Sequence, residues 1–202
     1  YSDSDRALHE AMVAALRSLG RFEVEVCNDH ERLFDAVAAG PDLVVNFCDT
    51  GYRNEATQEL HIPALLEMHG IPYTGAPPSA MVLCYDKPIV SLLARSLGLP
   101  VSREHRLGPT ALLAEAEVSF PALVKPAHGD GSVGINRGAV VRDMEALTAQ
   151  VSWFRETLPG RALIIQEYLP GPEYGLALLG NPGRLRPLPP LQVDFSRLPD
   201  DV

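Results

Sequence analysis

The order of elements along the 202 residues predicts an α/β protein in three parts: a doubly wound unit over residues 1–78, a clamp-like strand-and-helix unit over residues 79–165, and the start of a further unit over residues 166–202. Two observations lead there. In the first part, apolar helices alternate with short apolar strands, the rhythm of βαβ units that bury both faces of a parallel sheet. In the second, the strand-like run Phe120-Pro-Ala-Leu-Val124 ends on Lys125 and leads into the glycine-rich stretch Gly129-Asp130-Gly131-Ser132-Val133-Gly134.

The elements follow in order. Ser4 is placed to cap a first helix, with Asp3 and Asp5 at its positive end, Leu8, Met12, Ala15, Leu16 and Leu19 along one face, and Gly20 as its stop. Phe22 to Val26 alternates as a strand. Asp29 to Ala39 reads as a helix closed by Gly40, and Leu43 to Phe47 as a continuous apolar strand. A helix over Leu60 to His69 and a short strand over Ile71 to Tyr73 extend the unit, and Gly75-Ala-Pro77-Pro78 marks its boundary. Ser79 to Leu97 reads as one helix carrying Cys84-Tyr85-Asp86-Lys87. Beyond Gly98-Leu-Pro100 come the central strand with Lys125, a second extended run from Ile135 to Val141 turning at Asn136-Arg137-Gly138, and a helix from Asp143 to Thr157 whose Trp153 is assigned to the core. Ala162 to Leu169 is an apolar strand emerging into polar residues. Pro187, Pro189 and Pro190 interrupt a last extended segment.

The Lys125 segment has the parts of a phosphate clamp. A buried strand fixes the lysine's backbone, while glycines, lacking Cβ, let main-chain N–H groups approach an anion. Other glycine-rich templates fit less well. Gly129-x-Gly131-x-x-Gly134 matches a dinucleotide fingerprint, but no helix opens after it. A protein-kinase loop would be followed, not preceded, by its lysine, and no His-Arg-Asp or Asp-Phe-Gly comes later. The Gly-Lys-Ser/Thr of a P-loop is absent. An ordinary glycine-rich hairpin remains open for this loop taken alone.

Further segments stand in a consistent order around it: Leu65-Leu-Glu-Met-His-Gly70-Ile-Pro-Tyr-Thr-Gly75, Asp86-Lys87, Val124-Lys125-Pro126, Gly131-Ser132-Val133-Gly134 and Leu169-Pro-Gly-Pro-Glu173. As an ordered set, spanning residues 65–180, they resemble the ATP-grasp enzymes, and among them D-alanine–D-alanine ligase. The resemblance implies a Rossmann-like N-terminal (pre-ATP-grasp) domain followed by an ATP-grasp fold that is incomplete here. It also implies a reaction in which the γ-phosphate of ATP activates a carboxylate to an acyl phosphate, which an amine then attacks. No protein nucleophile is needed; positioning and charge cancellation suffice.

By the same resemblance, Lys87 and Lys125 are the phosphate lysines, with Gly129, Asp130, Gly131 and Ser132 forming the loop over the phosphates and Lys125 and Ser132 closest to the chemistry. Gln166, Glu167, Tyr168 and Leu169 form the adenine hinge, where a glutamate is commoner than Gln166; a carboxamide oxygen can still accept from the adenine amino group. Glu173 would take the ribose hydroxyls. The loop reads Gly-Asp-Gly-Ser-Val where the family more often has Glu-Gly-Ser-Ser-Val, one hydroxyl fewer, so main-chain N–H groups carry more of the phosphate contact. Mg²⁺ is implied as well, with its ligands expected beyond Val202; Asp194, Asp200 and Asp201 are not promoted to that role.

The loop Asn46-Phe-Cys-Asp-Thr50-Gly-Tyr-Arg53-Asn-Glu55 follows a strand's carboxyl end, where open α/β sheets bind ligands. Its wording departs from the His-Gly and Gly-Glu-Asp-Gly of D-alanine–D-alanine ligases. Arg53 is a candidate for a substrate carboxylate and Glu55 for an ammonium, with a solvated polar loop as the alternative. Because the chain starts at Tyr1 in a helix and the metal-binding region is not reached, a parent longer at both ends is expected. The competing function is a nucleotide-binding regulatory module without turnover; a carboxylase would resemble a different N-terminal wording.

Bulk composition bounds the rest. A hydrophobic content of 46% supports real cores. A formal charge of −9 and a pI near 5.1 argue against nucleic acid as a partner, and the apolar runs are too short for a membrane span. Cys27, Cys48 and Cys84 lack partner spacing and are expected as buried thiols in a reducing cytoplasm. The six histidines show no zinc-ligand pairing. His128 is expected at the surface of the loop. ATP and small amino acids are the expected ligands, and a homodimer is left open.

Overall fold

In the computed structural model, residues 3–113 and 116–196 are described, the side chains of residues 3–5 and 56 excepted. The Ser4 cap therefore lies outside the described side chains, as Asp200 and Asp201 lie outside the described residues. The chain divides into two compact units, Tyr1–Met81 and Val82–Val202.

The first unit carries helices α1 (Asp3–Ser18), α2 (Leu33–Ala38) and α3 (His61–Met68). Gly20 ends α1 in the left-handed region at φ 62°, its N–H bonded to Arg17 O at 3.1 Å. Asp29 starts the second helical stretch, its carboxylate accepting from Glu31 N at 2.9 Å and leading through a 3₁₀ turn at His30–Arg32 into α2. A small core of Val37, Ile62, Leu66 and Ile71 joins α2 to α3.

The expected strands are where this unit departs from its sequence. Phe22 to Val26 forms no strand, and of Leu43 to Phe47 only Val44 pairs, with Tyr73 in a parallel bridge closed by Val44 N to Pro72 O at 2.9 Å and Thr74 N to Val44 O at 3.0 Å. A strand exists only through its neighbour's hydrogen bonds. Segment 22–26 has no main-chain partner among the described residues, Val24 O accepting instead from Arg17 Nη2 at 3.2 Å, and Phe22 and Val26 lie exposed.

Helix α4 (Pro78–Tyr85) runs across the boundary between the units and α5 (Lys87–Ser96) follows it, where the sequence reads as a single helix. The break is at Asp86, which is extended (φ −93°, ψ 94°) and caps α5 by accepting from Ile89 N at 3.1 Å. Pro88 fits the first turn because its missing N–H would have had no partner there. Four strands follow: β1 (Glu104–Leu107), β2 (Ala122–Pro126), β3 (Val140–Val141) and β4 (Leu163–Glu167), in the order β1-β4-β2-β3 with every neighbouring pair antiparallel. β3 and β4 therefore run parallel on either side of β2, and α6 (Met144–Thr157) is the crossover between them. Asp143 caps α6, accepting from Ala146 N at 2.9 Å.

Alternation along the strands gives the sheet two faces. Ala122, Val124, Val141, Leu163, Ile165 and Leu107 point to α6 and pack with Leu147, Val151 and Phe154, spaced i, i+4, i+7 along that helix. The aromatic assigned to the core is corrected by one position: Phe154 is buried, whereas Trp153 is 36% exposed and packs edge-on against it. The expected extended run from Ile135 shortens to Val140–Val141. Its first half turns tightly, with Ala139 N bonded to Asn136 O at 3.0 Å and buried Gln150 donating to Asn136 Oδ1 at 3.2 Å.

After β4 come two-residue strands β5 (Tyr174–Gly175), β6 (Leu178–Leu179), β7 (Arg186–Pro187) and β8 (Leu191–Gln192), paired β5 with β8 and β6 with β7, all exposed. The cysteines also differ from expectation: Cys27 and Cys84 are exposed and only Cys48 is partly covered, where burial pushes its thiol pKa up.

Candidate functional site

The face of the sheet turned away from α6 carries the residues of the candidate site. Register puts Glu104, Gln166 and Leu123 in one cross-strand row, and Arg106, Ile164 and Lys125 in the next. Lys125 is thus fixed on the penultimate residue of β2 and is part-buried.

Above this face the chain returns twice to the start of α5. Lys87 N donates to Ala127 O at 3.0 Å, Gly129 N donates to Tyr85 O at 3.0 Å, and Asp86 bridges His128. The break between α4 and α5 makes this possible, because an uninterrupted helix would have used the Lys87 N–H within itself. The Lys87 side chain then reaches across, Nζ donating to Gly129 O at 2.5 Å. Four residues on, along the same side of α5, Ser91 Oγ donates to Glu104 Oε2 at 3.1 Å.

The two lysines are therefore neighbours. Burial depresses the Lys87 pKa below its ordinary 10.5, and the positive charge of Lys125 depresses it further, with Asp130 and Asp86 pulling the other way. Lys125 is lowered by burial and raised by Glu104. Neither takes part in an ion pair among the described residues. Two part-buried cations that repel each other and lack a carboxylate in contact form a site that an anion would relieve. The sequence contains no other lysine: of its 17 basic residues two are lysines, and the fold brings both to one place.

The loop between them is held in left-handed turns: Gly129, Gly131, Ser132 and Gly134 have φ of 103°, 61°, 56° and 78°. Ser132, with a side chain, is strained there. Gly134 is the loop's anchor: a Cβ at this position would lie 2.6 Å from the buried Phe154 ring and 3.0 Å from Leu158. Asp130 and Ser132 are exposed, and so is His128, as expected, with its ring 5.9 Å from that of Tyr85.

At the far end of β4, Glu167 N donates to Arg103 O at 2.8 Å and Tyr168 N to Pro121 O at 3.1 Å, while the Glu167 carboxylate pairs with Arg103 at 3.6 Å. The Glu167 and Tyr168 donors are consumed by the fold. Leu169 N, the next one along, has no acceptor among the described residues. Glu173 is not drawn into this cluster: its side chain is exposed and its carbonyl accepts from Val193 N at 2.9 Å.

Arg53 and Glu55 belong to the first unit. Arg53 lies over the Tyr52 ring at 5.4 Å and pairs with Glu31 at 3.2 Å, in left-handed backbone (φ 55°); Glu55 is exposed. Among the described residues no three His, Cys, Asp or Glu side chains converge as metal ligands do, and no helix is long and apolar enough to cross a membrane.

Sequence reasoning missed two participants, Glu104 and Ser91. Strand β1, Glu-His-Arg-Leu, has one apolar residue and gives no alternation signal. The helix break had a signal, Asp-Lys-Pro, that the apolar run around it obscured.

Comparison with known proteins places the chain. No protein-family profile matches it. An uncharacterized protein of Sinorhizobium fredii is 31% identical over 181 residues, covering 85% of this chain and 52% of that protein. A D-alanine–D-alanine ligase of Ectopseudomonas mendocina is 39% identical over 129 residues, covering 63% and 38%. Among solved structures, D-alanine–D-alanine ligase from Bacillus anthracis complexed with ATP superposes with a TM-score of 0.62 at 22% identity, covering 83% of this chain and 52% of that one. The chain thus spans about half or less of the length of these relatives. Taken together, the sequence relatives and the shared fold make the chain similar to D-alanine–D-alanine ligases, the resemblance that its own motifs carry.

Proposed function

We propose that the chain is the nucleotide-binding part of an ATP-dependent carboxylate–amine ligase that joins amino acids. The observation that supports this most strongly is the meeting of the chain's two lysines beside a glycine-rich loop, with no carboxylate in ion-pair contact among the described residues. A triphosphate fits this cluster: its negative charge would offset both ammoniums, and main-chain N–H groups of the loop would add donors. In this reading Gln166, Glu167, Tyr168 and Leu169 border the adenine, with Leu169 N the free main-chain donor, and Glu173 reaches the ribose.

The reaction proposed is attack of a substrate carboxylate oxygen on the γ-phosphorus of ATP, releasing ADP. An amine then attacks the acyl carbon, releasing phosphate and losing a proton. Lys125, Lys87, Ser132 and the loop orient the phosphates and offset their charge. Mg²⁺ would add further charge neutralisation, but the described residues do not form a site for it, and no step is assigned to it. The first unit, read as a Rossmann-like domain, would carry the amino-acid contacts through Arg53 and Glu55. A cytoplasmic setting and a homodimer belong to the same proposal. The non-catalytic alternative is not favoured, since the named relatives are ligases.

Phosphate release from ATP with Mg²⁺ and a panel of D- and L-amino acids, using the full-length protein, tests the reading. Release that depends on one amino-acid class supports it; no release with any amino acid, despite tight ATP binding, contradicts it. In that assay Arg53→Ala is expected to raise the amino-acid KM about tenfold with kcat little changed. An unchanged KM removes Arg53 from the substrate site.

The lysine pKa directions predict a pH dependence. Phosphate binding favours the ammonium forms, so ATP affinity is present while both lysines are protonated. It falls as pH rises through their depressed values, which lie below 10.5. Titration calorimetry in buffers of different ionisation enthalpy should show proton uptake on ATP binding in that alkaline range; binding that releases protons there would contradict the assignment.

A further inference from the structure

Glu104 stands directly opposite Gln166 on antiparallel β1 and β4. Gln166 Nε2 donates to Glu104 Oε2 at 3.5 Å, and Ser91 Oγ donates to the same oxygen at 3.1 Å. An ionised carboxylate accepts only, whereas a carboxamide has one donating and one accepting end. The carboxylate therefore holds the Gln166 amide by its NH₂ group, leaving Oε1 as the end available to a ligand. A glutamine free to turn over would offer either end.

We propose that Glu104 is a positioning residue that sets base preference, locking the Gln166 carboxamide so that its oxygen faces the base and selects a 6-amino purine over a 6-oxo purine. This rests on the nucleotide reading above. A 6-amino purine presents an amino donor beside a ring acceptor, complementary to Gln166 Oε1 beside the free Leu169 N–H. A 6-oxo purine inverts both, setting oxygen against oxygen and N–H against N–H. Polar sites reject such inverted partners because their own groups are left unpaired.

The experiment displaces a fluorescent ATP analogue from the protein with ATP and with inosine triphosphate, which differ at this edge. The native protein is expected to prefer ATP by about tenfold or more. Glu104→Gln, nearly identical in shape, can donate as well as accept, so the Gln166 amide is free to turn; the ratio should fall to about threefold or less. The exchanged pair Glu104→Gln with Gln166→Glu should restore it, because the acid then sits at position 166 and can only accept. An ATP/inosine ratio unchanged in Glu104→Gln overturns the inference, as does an equal loss for both nucleotides, which would make Glu104 a general support of the site with no part in base choice. No preference in the native protein overturns it as well. Failure of the native protein to bind either nucleotide is the distinct result that removes the nucleotide reading and this inference together.

Discussion

Lys125→Ala is expected to weaken ATP binding by about two to three orders of magnitude, the usual consequence of deleting one partner of a part-buried charge contact. The fold should survive. Among the described residues Lys125 is in no ion pair; its removal takes away the repulsion that depresses the Lys87 pKa along with an attraction to Glu104, so the melting temperature should change little. Lys87 should in turn titrate closer to its ordinary value. Lys125→Arg is expected to recover only part of the affinity, because a planar guanidinium does not replace a compact ammonium at a strand end. Calorimetry of ATP binding alongside thermal unfolding separates these effects: loss of affinity together with loss of fold would mean that Lys125 is structural, and retained affinity would mean that the phosphates bind elsewhere.

Gly134→Val is the substitution expected to harm the fold most for its size. At φ 78° a β-branched side chain is strained, and its Cβ would enter the Phe154 ring and Leu158. Phe154 cannot turn away cheaply, because it is packed among Leu147, Val151 and the sheet. A loss of about 2–4 kcal/mol in chemical denaturation is expected. Gly131→Ala is the control: its φ is also left-handed, at 61°, but nothing lies within 4 Å of the added carbon, so about 1–2 kcal/mol covers the backbone strain. Equal effects of the two would show that Gly134 does not anchor the loop to the core.

Where the sequence could be read, the reason is local. Strands β2 and β4 are apolar runs ended by lysine or by Gln-Glu, and α6 has an aspartate cap and a regular apolar stripe, so neither needs distant information. The apolar segments 22–26 and 43–47 look as strand-like as β4, yet only Val44 pairs, because a strand is made by a neighbour that the segment itself does not encode. Trp153 and Phe154 show the same limit in miniature: both are aromatic, and one helical step decides which faces the sheet. At the site, Lys125 was legible from its strand and loop, whereas Lys87 was placed by resemblance; its physical cue was the Asp86 cap and Pro88 that turn it back toward Gly129. Glu104 was invisible because β1 is polar along most of its length: of Glu-His-Arg-Leu only Leu107 is apolar, so the segment does not alternate as a half-buried strand does.

The central claim is that Lys87 and Lys125 bind one phosphate chain, and their being the sequence's two lysines makes it directly measurable. An ATP derivative bearing a reactive acyl group on its terminal phosphate acylates the lysines it touches, and peptide mass spectrometry reads which ones. Labelling of both Lys87 and Lys125, suppressed by excess ATP, is the predicted result. Labelling of only one, or of both without protection by ATP, would contradict the account.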